Sequence, residues 1–178
     1  MRKNSMSNFK IRRYKDVDKS KVFRLHTFAL KKAAAFCKHV HWDKDFKNIE
    51  AIYLKNNGEF LVGILDNKLV AMGALKKISK DIAEIKRMRV HPKFQRRGFG
   101  QLILNRLEKK ARKLGYKTLH FDTTIKQTAG QKFYQKNGYV EVKRGYSEQS
   151  EQSRITFMGT LKIERFIYKY ISARYEYI

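Results

Sequence analysis

The sequence Val90-His-Pro-Lys-Phe-Gln-Arg-Arg-Gly98-Phe-Gly100 decides the fold, because it joins a predicted strand to a predicted helix. Residues 82–90 before it are typical of a strand, and apolar residues recur at steps of three and four through 98–114. Glycine lets the backbone approach a ligand closely, and the first amides of a helix have no partner within that helix. The loop therefore favours an anionic group such as a phosphate. An ordinary strand–helix connection that binds nothing is the alternative.

The loop does not match either of the common nucleotide-binding fingerprints. No Gly-Lys-Ser or Gly-Lys-Thr follows it, which excludes a Walker loop, and Ile103 stands where a dinucleotide fingerprint has its third glycine. Arg96 and Arg97 place two positive charges just before the predicted helix. These features indicate a phosphate cradle of another kind.

Strands and helices alternate along the rest of the chain, which predicts a mixed α/β domain over 1–161. The remaining strands are predicted at 9–14, 60–65, 68–76, 118–123, 139–143 and 155–161, and the remaining helices at 16–29, 46–55 and 129–136. Asp66-Asn67 is typical of a tight hairpin turn. An apolar stripe over 162–178 predicts a C-terminal amphipathic helix. That helix packs either on its own domain or at a contact between two copies in a homodimer.

Composition excludes several classes of protein. The 178 residues include one cysteine and one proline, which excludes a disulfide framework, a zinc site with several cysteines and a proline-rich linker. No apolar run approaches the ~20 residues of a spanning helix, so a soluble cytoplasmic protein is expected. The net charge of +25 has three explanations: a nucleic-acid or ribosomal partner, a solvated basic surface, or an anionic cofactor.

One group of residues resembles a metal site only in its spacing. Four residues of types that bind metals are spaced two apart along the chain: Cys37, His39, His41 and Asp43. The preceding Ala33-Ala34-Ala35-Phe36 favours a helix, in which steps of two do not converge on one point. No metal site is therefore predicted.

Three motifs in order resemble the GNAT superfamily of N-acetyltransferases. Gln95-Arg-Arg-Gly98-Phe-Gly100 resembles its acetyl-CoA loop, written Gln/Arg-x-x-Gly-x-Gly/Ala. The segment 84–92 resembles the family's central strand, and Phe133-Tyr-Gln-Lys-Asn-Gly138-Tyr139 resembles its second motif. The similarity covers about residues 9–161.

The resemblance implies a mostly antiparallel sheet flanked by helices, in which strand 82–90 splays from its neighbour at a bulge and opens a V-shaped slot. Acetyl-CoA would lie there, with its pantetheine arm on the backbone near Met88 and Val90 and its pyrophosphate on the amides of 96–101. One amide near Val90 would stabilise the oxyanion. The cofactor-binding residues implied are Met88, Val90, Gln95, Arg96, Arg97, Gly98, Phe99, Gly100, Gln101, Gln127, Phe133 and Tyr134. Gln127 replaces an asparagine that is frequent in the family.

The same resemblance implies Tyr134 as the acid that protonates the departing thiolate, unless its hydroxyl is only structural. Glu84 either takes the amine proton through water or forms an ion pair with Lys86 or Arg87. A regular strand would place it on the same face as Met88 and Val90, although a bulge shifts that register.

The function implied is transfer of the acetyl group of acetyl-CoA to a primary amine of a small molecule, amino acid or peptide. The amine would attack directly in a ternary complex. The variable segments 23–42 and 43–53, including Trp42, would form the acceptor pocket. The alternative is a non-catalytic basic module of the same fold that binds nucleic acid or a ribosomal surface.

Overall fold

A seven-stranded sheet forms the centre of the computed structural model, which describes residues 8–36, 41–147 and 152–161. The strands are β1 (Phe9–Arg13), β2 (Glu59–Leu65), β3 (Lys68–Lys77), β4 (Ile82–Val90), β5 (Thr118–Thr124), β6 (Val140–Ser147) and β7 (Gln152–Thr160). They lie in the order β1-β2-β3-β4-β5-β7-β6, and all neighbours are antiparallel except β4 and β5. This mixed sheet confirms the predicted fold class. The helix predicted over 162–178 lies outside the described residues.

Three α-helices flank the sheet: α1 (Lys19–Lys32), α2 (Phe99–Lys113) and α3 (Thr128–Lys136). The apolar stripe of α2 is buried in one core cluster, together with residues of β3, β4 and β5. A second cluster joins α1 and the segment 41–54 to β2 and β3. Among the described residues, no helix is long and apolar enough to cross a membrane.

The helix predicted over 46–55 is wrong in its geometry. The segment consists of a 3-10 helix at His41–Lys47 and a π-helical turn at Glu50–Leu54. The Asn48 side chain accepts a hydrogen bond from the Ala51 amide at 3.1 Å, and Lys55 N bonds to Glu50 O at 2.9 Å. The apolar spacing located the buried side correctly, but packing against the sheet selected the wider turn.

The slot arises because β4 and β5 pair only at their beginnings. Their parallel register covers Ile82–Glu84 opposite Thr118–His120 and then stops. Beyond that point, β5 continues to pair with β7 on its other side, while β4 continues to pair with β3. The two strands therefore form the V-shaped opening that the family resemblance implies.

A β-bulge in β4 sets which side chains face each side of the slot. The β3–β4 register shifts between Met72 and Ala74, and Arg87 adopts a left-handed backbone with φ of +56°. Ile85 lies in the cluster on the α2 side, and Met88 packs there too, so the extra residue reverses the alternation. Glu84 therefore does not share a face with Met88 and Val90, contrary to the regular-strand expectation.

Candidate active site

A cleft of about 850 Å³ opens where β4 and β5 diverge. Most of the predicted site residues line it: Glu84, Met88, Val90, Gln95, Arg96, Gly98, Phe99, Gly100, Gln101, Gln127, Phe133 and Tyr134. Arg97 is the one predicted site residue that does not line the cleft. Its side chain packs instead on Phe94, with the guanidinium carbon 5.4 Å from the centroid of that ring. The fold thus brings the ends of β4, α2 and α3 to one place.

The end of β4 presents backbone polar groups to this cleft. His91 N donates to Val70 O at 2.8 Å, and Arg89 is opposite Met72 in the ladder. Backbone groups alternate in direction along such a ladder, so those of Val90 point away from β3 and into the slot. The Val90 carbonyl accepts a hydrogen bond from Gln95 Nε2 at 3.2 Å. The amide of Val90 can therefore donate to a ligand in the slot.

The segment 95–101, called the cradle here, has the backbone of an anion site. Arg96 and Gly98 adopt left-handed conformations, with φ of +60° and +81°. The first hydrogen bond within α2 runs from Leu102 N to Gly98 O, and Gly98 supplies no side-chain cap. The amides of residues 99–101 are thus open at the positive end of the helix dipole.

The cradle fits a pyrophosphate sterically as well. A Cβ built on Gly100 would lie 3.6 Å from Val90 Cγ2 and 4.0 Å from Phe133 Cζ, between the strand and the helix that bound the cleft. Glycine at this position keeps that passage open for a ligand. Open amides, a nearby exposed Arg96 and a narrow passage together suit the phosphates and arm of acetyl-CoA.

The side chains of the three glutamines in the predicted site make hydrogen bonds to other protein groups around the cleft. Gln95 bonds to Val90, as described above, and Gln101 Nε2 donates to Asn137 Oδ1 at 2.6 Å. Gln127 Nε2 lies 3.4 Å from Thr124 Oγ1. These side chains fix the geometry of the cleft, and the cradle presents mainly backbone groups to a ligand.

Tyr134 lines the cleft from α3 and is buried, with 7% of its surface exposed. Its ring centroid lies 3.5 Å from that of Phe121, which fixes the direction of the hydroxyl. Burial raises the pKa of Tyr134 well above its ordinary value, while the positive charge of Arg89 opposes this shift. The phenol therefore carries its proton throughout the physiological range and can donate it.

Four charged residues, called the polar wall, lie on the side of the cleft opposite α2: Asp43, Asp45, Arg87 and Arg89. Asp43, Arg87 and Arg89 line the cleft, and Asp45 is an ion-pair partner of Arg87. Arg87 is buried, and its guanidinium bonds to Asp43 Oδ1 at 2.9 Å and Asp45 Oδ1 at 2.6 Å. Its guanidinium carbon also lies 4.6 Å from the Phe46 ring centroid. Three cations lie in the central strand segment 86–89, and a buried cation requires a partner. Sequence analysis considered Lys86 and Arg87 only as partners of Glu84 and did not use this signal to look for carboxylates elsewhere in the chain.

His26 contacts the polar wall from α1. It is buried in α1, and its Nε2 lies 3.1 Å from Asp43 Oδ1. Burial lowers the pKa of His26, so the imidazole is neutral at neutral pH. Burial alone would raise the pKa of Asp43, but His26 and Arg87 hold it below its ordinary value. Asp43 is therefore a fixed negative charge at the cleft.

Glu84 lies where β4 and β5 separate, and its side chain is 11% exposed. Lys86 Nζ donates to Glu84 Oε1 at 2.8 Å, so the structure contains one of the ion pairs expected from the sequence. Glu84 also lines the cleft, and a water-mediated role is compatible with that position.

Comparisons with known proteins agree with this geometry. The model of the acetyltransferase (GNAT) family matches residues 23–139. An acetyltransferase of the GNAT family from Staphylococcus aureus Mu50 has a TM-score of 0.79 at 21% identity, covering 86% of this chain and 99% of that one. The structure of yncA from Salmonella typhimurium, solved with its cofactor acetyl-CoA, has a TM-score of 0.72 at 17% identity, covering 89% and 96%.

A third similar structure is the ribosomal-protein-S18-alanine N-acetyltransferase from Escherichia coli, with a TM-score of 0.69 at 16% identity over 88% of this chain and 96% of that chain. No sequence match was found among curated proteins. The family match extends from α1 to the end of the second motif and so includes the cradle, the slot and Tyr134. The chain therefore belongs to the GNAT family of acetyltransferases and is an acyltransferase that uses acetyl-CoA.

Proposed function

We propose that this enzyme transfers the acetyl group to a primary amine of a small molecule, amino acid or peptide, by direct attack in a ternary complex. The observation that carries the proposal is the position of the cleft between two different surfaces. The cradle and the Val90 backbone lie on one side, and the polar wall lies on the other. Donor and acceptor can therefore meet at the slot without a covalent enzyme intermediate.

On the donor side, the amides of 99–101 and the Arg96 side chain would hold the phosphates, and the backbone of Met88 and Val90 would hold the arm. Acetyl-CoA supplies an activated acyl thioester when bound. The Val90 amide would donate a hydrogen bond where negative charge develops on the carbonyl oxygen. Tyr134 would then donate its proton to sulfur as the thiol leaves.

On the acceptor side, the amine must lose a proton before or during attack. Glu84 would accept it through a water molecule, because its carboxylate lines the cleft at the point where the strands diverge. The ion pair with Lys86 would hold the carboxylate in place.

A direct test combines calorimetric titration of acetyl-CoA with thiol release on a panel of amines. Binding of acetyl-CoA together with amine-dependent thiol release would support the proposal. Tight binding of acetyl-CoA with no amine turned over would contradict acetyl transfer to amines.

Glu84→Gln tests the proton acceptor. We expect kcat/KM to fall about 30-fold at neutral pH, since general base catalysis contributes roughly 10²–10⁴-fold and water replaces part of it. The loss should shrink as the pH approaches the pKa of the acceptor amine, because more of the amine is then already neutral. A pH–rate profile of both proteins measures this. A loss that is constant with pH would show that Glu84 is structural.

Arg96→Ala and Arg97→Ala form a matched pair at the cradle. Arg96 lines the cleft while Arg97 lies over Phe94, so we expect only Arg96→Ala to weaken acetyl-CoA binding, by about fivefold, the upper range for an exposed ion pair. Calorimetry with CoA and dephospho-CoA measures the effect. A loss confined to CoA assigns Arg96 to the 3′-phosphate. Equal losses from both variants would contradict the assignment.

A further inference from the structure

Arg89 differs from Lys86 and Arg87, its neighbours along β4, because it has no carboxylate partner among the residues that the structure describes. Lys86 is paired with Glu84, and Arg87 with Asp43 and Asp45. Within the described ranges, by contrast, no carboxylate oxygen lies within 4.0 Å of an Arg89 nitrogen. Its Nη1 donates to the Met88 carbonyl at 2.7 Å, and its buried Nε has no hydrogen-bond partner there.

This cation lies inside the cleft and keeps its charge. Arg89 is half-buried and lines the cleft beside Met88, on the same strand face as Arg87. Burial and the positive charge of Arg87 lower the pKa of Arg89 to about 10, which leaves it protonated at neutral pH. A half-buried charge without a counter-ion is unfavourable, and an anionic ligand group would relieve that cost.

The anionic groups of acetyl-CoA are poorly placed to be this partner. Its phosphates suit the cradle at the start of α2, and the uncharged pantetheine arm separates them from the thioester. Arg89 instead contacts the Met88 carbonyl, in the part of β4 where the thioester end of the arm is expected. With no carboxylate of the described residues paired with Arg89, the acceptor is left as the source of the missing negative charge.

We infer that the acceptor is a small amine that also carries a carboxylate close to the amine, as in an amino acid, and that Arg89 binds that carboxylate. The inference rests on the proposed function, which it narrows. Asp43 lies on the same wall with 29% of its side chain exposed, and its fixed negative charge would attract the ammonium form of the amine. The polar wall thus has a cation, Arg89, for the carboxylate of a zwitterionic acceptor and an anion, Asp43, for its ammonium group.

The test compares each proteinogenic amino acid with its C-terminal amide as acceptor, with kcat/KM expressed per neutral amine. The wild-type enzyme should prefer the acid to the amide of its best substrate. Arg89→Gln should lower kcat/KM for the acid about 30-fold, the effect of losing charge-assisted hydrogen bonds, and change that for the amide less than threefold. Arg89→Lys should retain part of the preference. Calorimetric binding of the acid to the enzyme–CoA complex should weaken in parallel.

Arg106→Gln is the matched control, because it removes the same charge from an exposed position on α2 outside the cleft. This variant should change neither the preference for the acid over the amide nor the binding of the acid to the enzyme–CoA complex. Equal losses of acid and amide turnover in Arg89→Gln would overturn the inference and place the charge at the leaving thiolate. The inference would also be overturned if the wild-type enzyme acetylated amides or peptides as fast as it acetylated free amino acids. Both outcomes leave amine acetylation intact, whereas turnover of no amine contradicts the proposed function itself.

Discussion

Replacing Gly100 with aspartate is expected to lower the affinity for acetyl-CoA at least 100-fold without destabilising the protein. The new carboxylate would lie in the first turn of α2, next to the unpaired amides that would bind the phosphates of acetyl-CoA. Repulsion and the loss of charge-assisted hydrogen bonds, each worth roughly 1.5–3 kcal/mol, account for the loss of affinity. The free protein should be as stable or slightly more stable, because an acidic group near a helix N-terminus contributes about 0.3–1 kcal/mol.

The structure makes Gly100 a cleaner probe than Gly98. A Cβ at Gly100 meets only ordinary contacts, whereas Gly98 has a φ of +81° that strains any side chain. Gly100→Asn is the isosteric control and should lose less affinity than the aspartate. Calorimetry measures acetyl-CoA binding, and chemical denaturation measures the free energy of unfolding. Unchanged acetyl-CoA affinity in Gly100→Asp would show that the phosphates bind elsewhere.

Tyr134→Phe is expected to lower kcat about 100-fold, the lower range for a positioned general acid. The ring would keep its packing against Phe121, so stability and acetyl-CoA affinity should change little. The effect should fall on kcat more than on KM, because the proton is needed only as the thiolate forms. It should also shrink with a thioester whose leaving thiol is more acidic. Single-turnover measurement separates this step from product release.

Tyr139→Phe provides the matched control for this result. Tyr139 is also buried, but its hydroxyl bonds to Glu108 Oε1 at 3.0 Å and the residue does not line the cleft. This variant should lose about 1 kcal/mol of stability and keep its turnover rate. If Tyr134→Phe turns over at the wild-type rate, the proton comes from water or another group, and Tyr134 is structural.

The loop geometry of the cradle was predictable because its signals are local. The glycines of 98–100 and the apolar stripe of 98–114 specify a strand, a loop and a helix start within about 30 residues. The turn at Asp66-Asn67 is equally local, and both residues adopt positive φ, of 46° and 62°. Backbone preferences and side-chain periodicity act over a few residues, so a sequence reveals them directly.

The polar wall was not predictable in the same way. Arg87 bonds to Asp45 across 42 residues of sequence, and no motif pairs the 3-10 helix His41–Lys47 with β4. The prediction of a regular helix over 46–55 failed for the same reason. Packing of Tyr53, whose hydroxyl bonds to Asp45, favours the wider turn over the regular one.

The sequence by itself determined the α/β fold, the cradle and the position of Tyr134, whereas the tertiary structure decided which face of β4 each charge occupies. The bulge at Arg87 lies opposite Gly73 of β3, where the β3–β4 register shifts between Met72 and Ala74. A Cβ on Gly73 would collide with Met88 Sδ and Ile103 Cγ2, so the close packing here requires glycine. That extra residue turns Arg87 toward Asp43 and leaves Met88 on the α2 side. A period of two along one strand cannot reveal this reversal, because it results from close packing between strands that the sequence does not pair in advance.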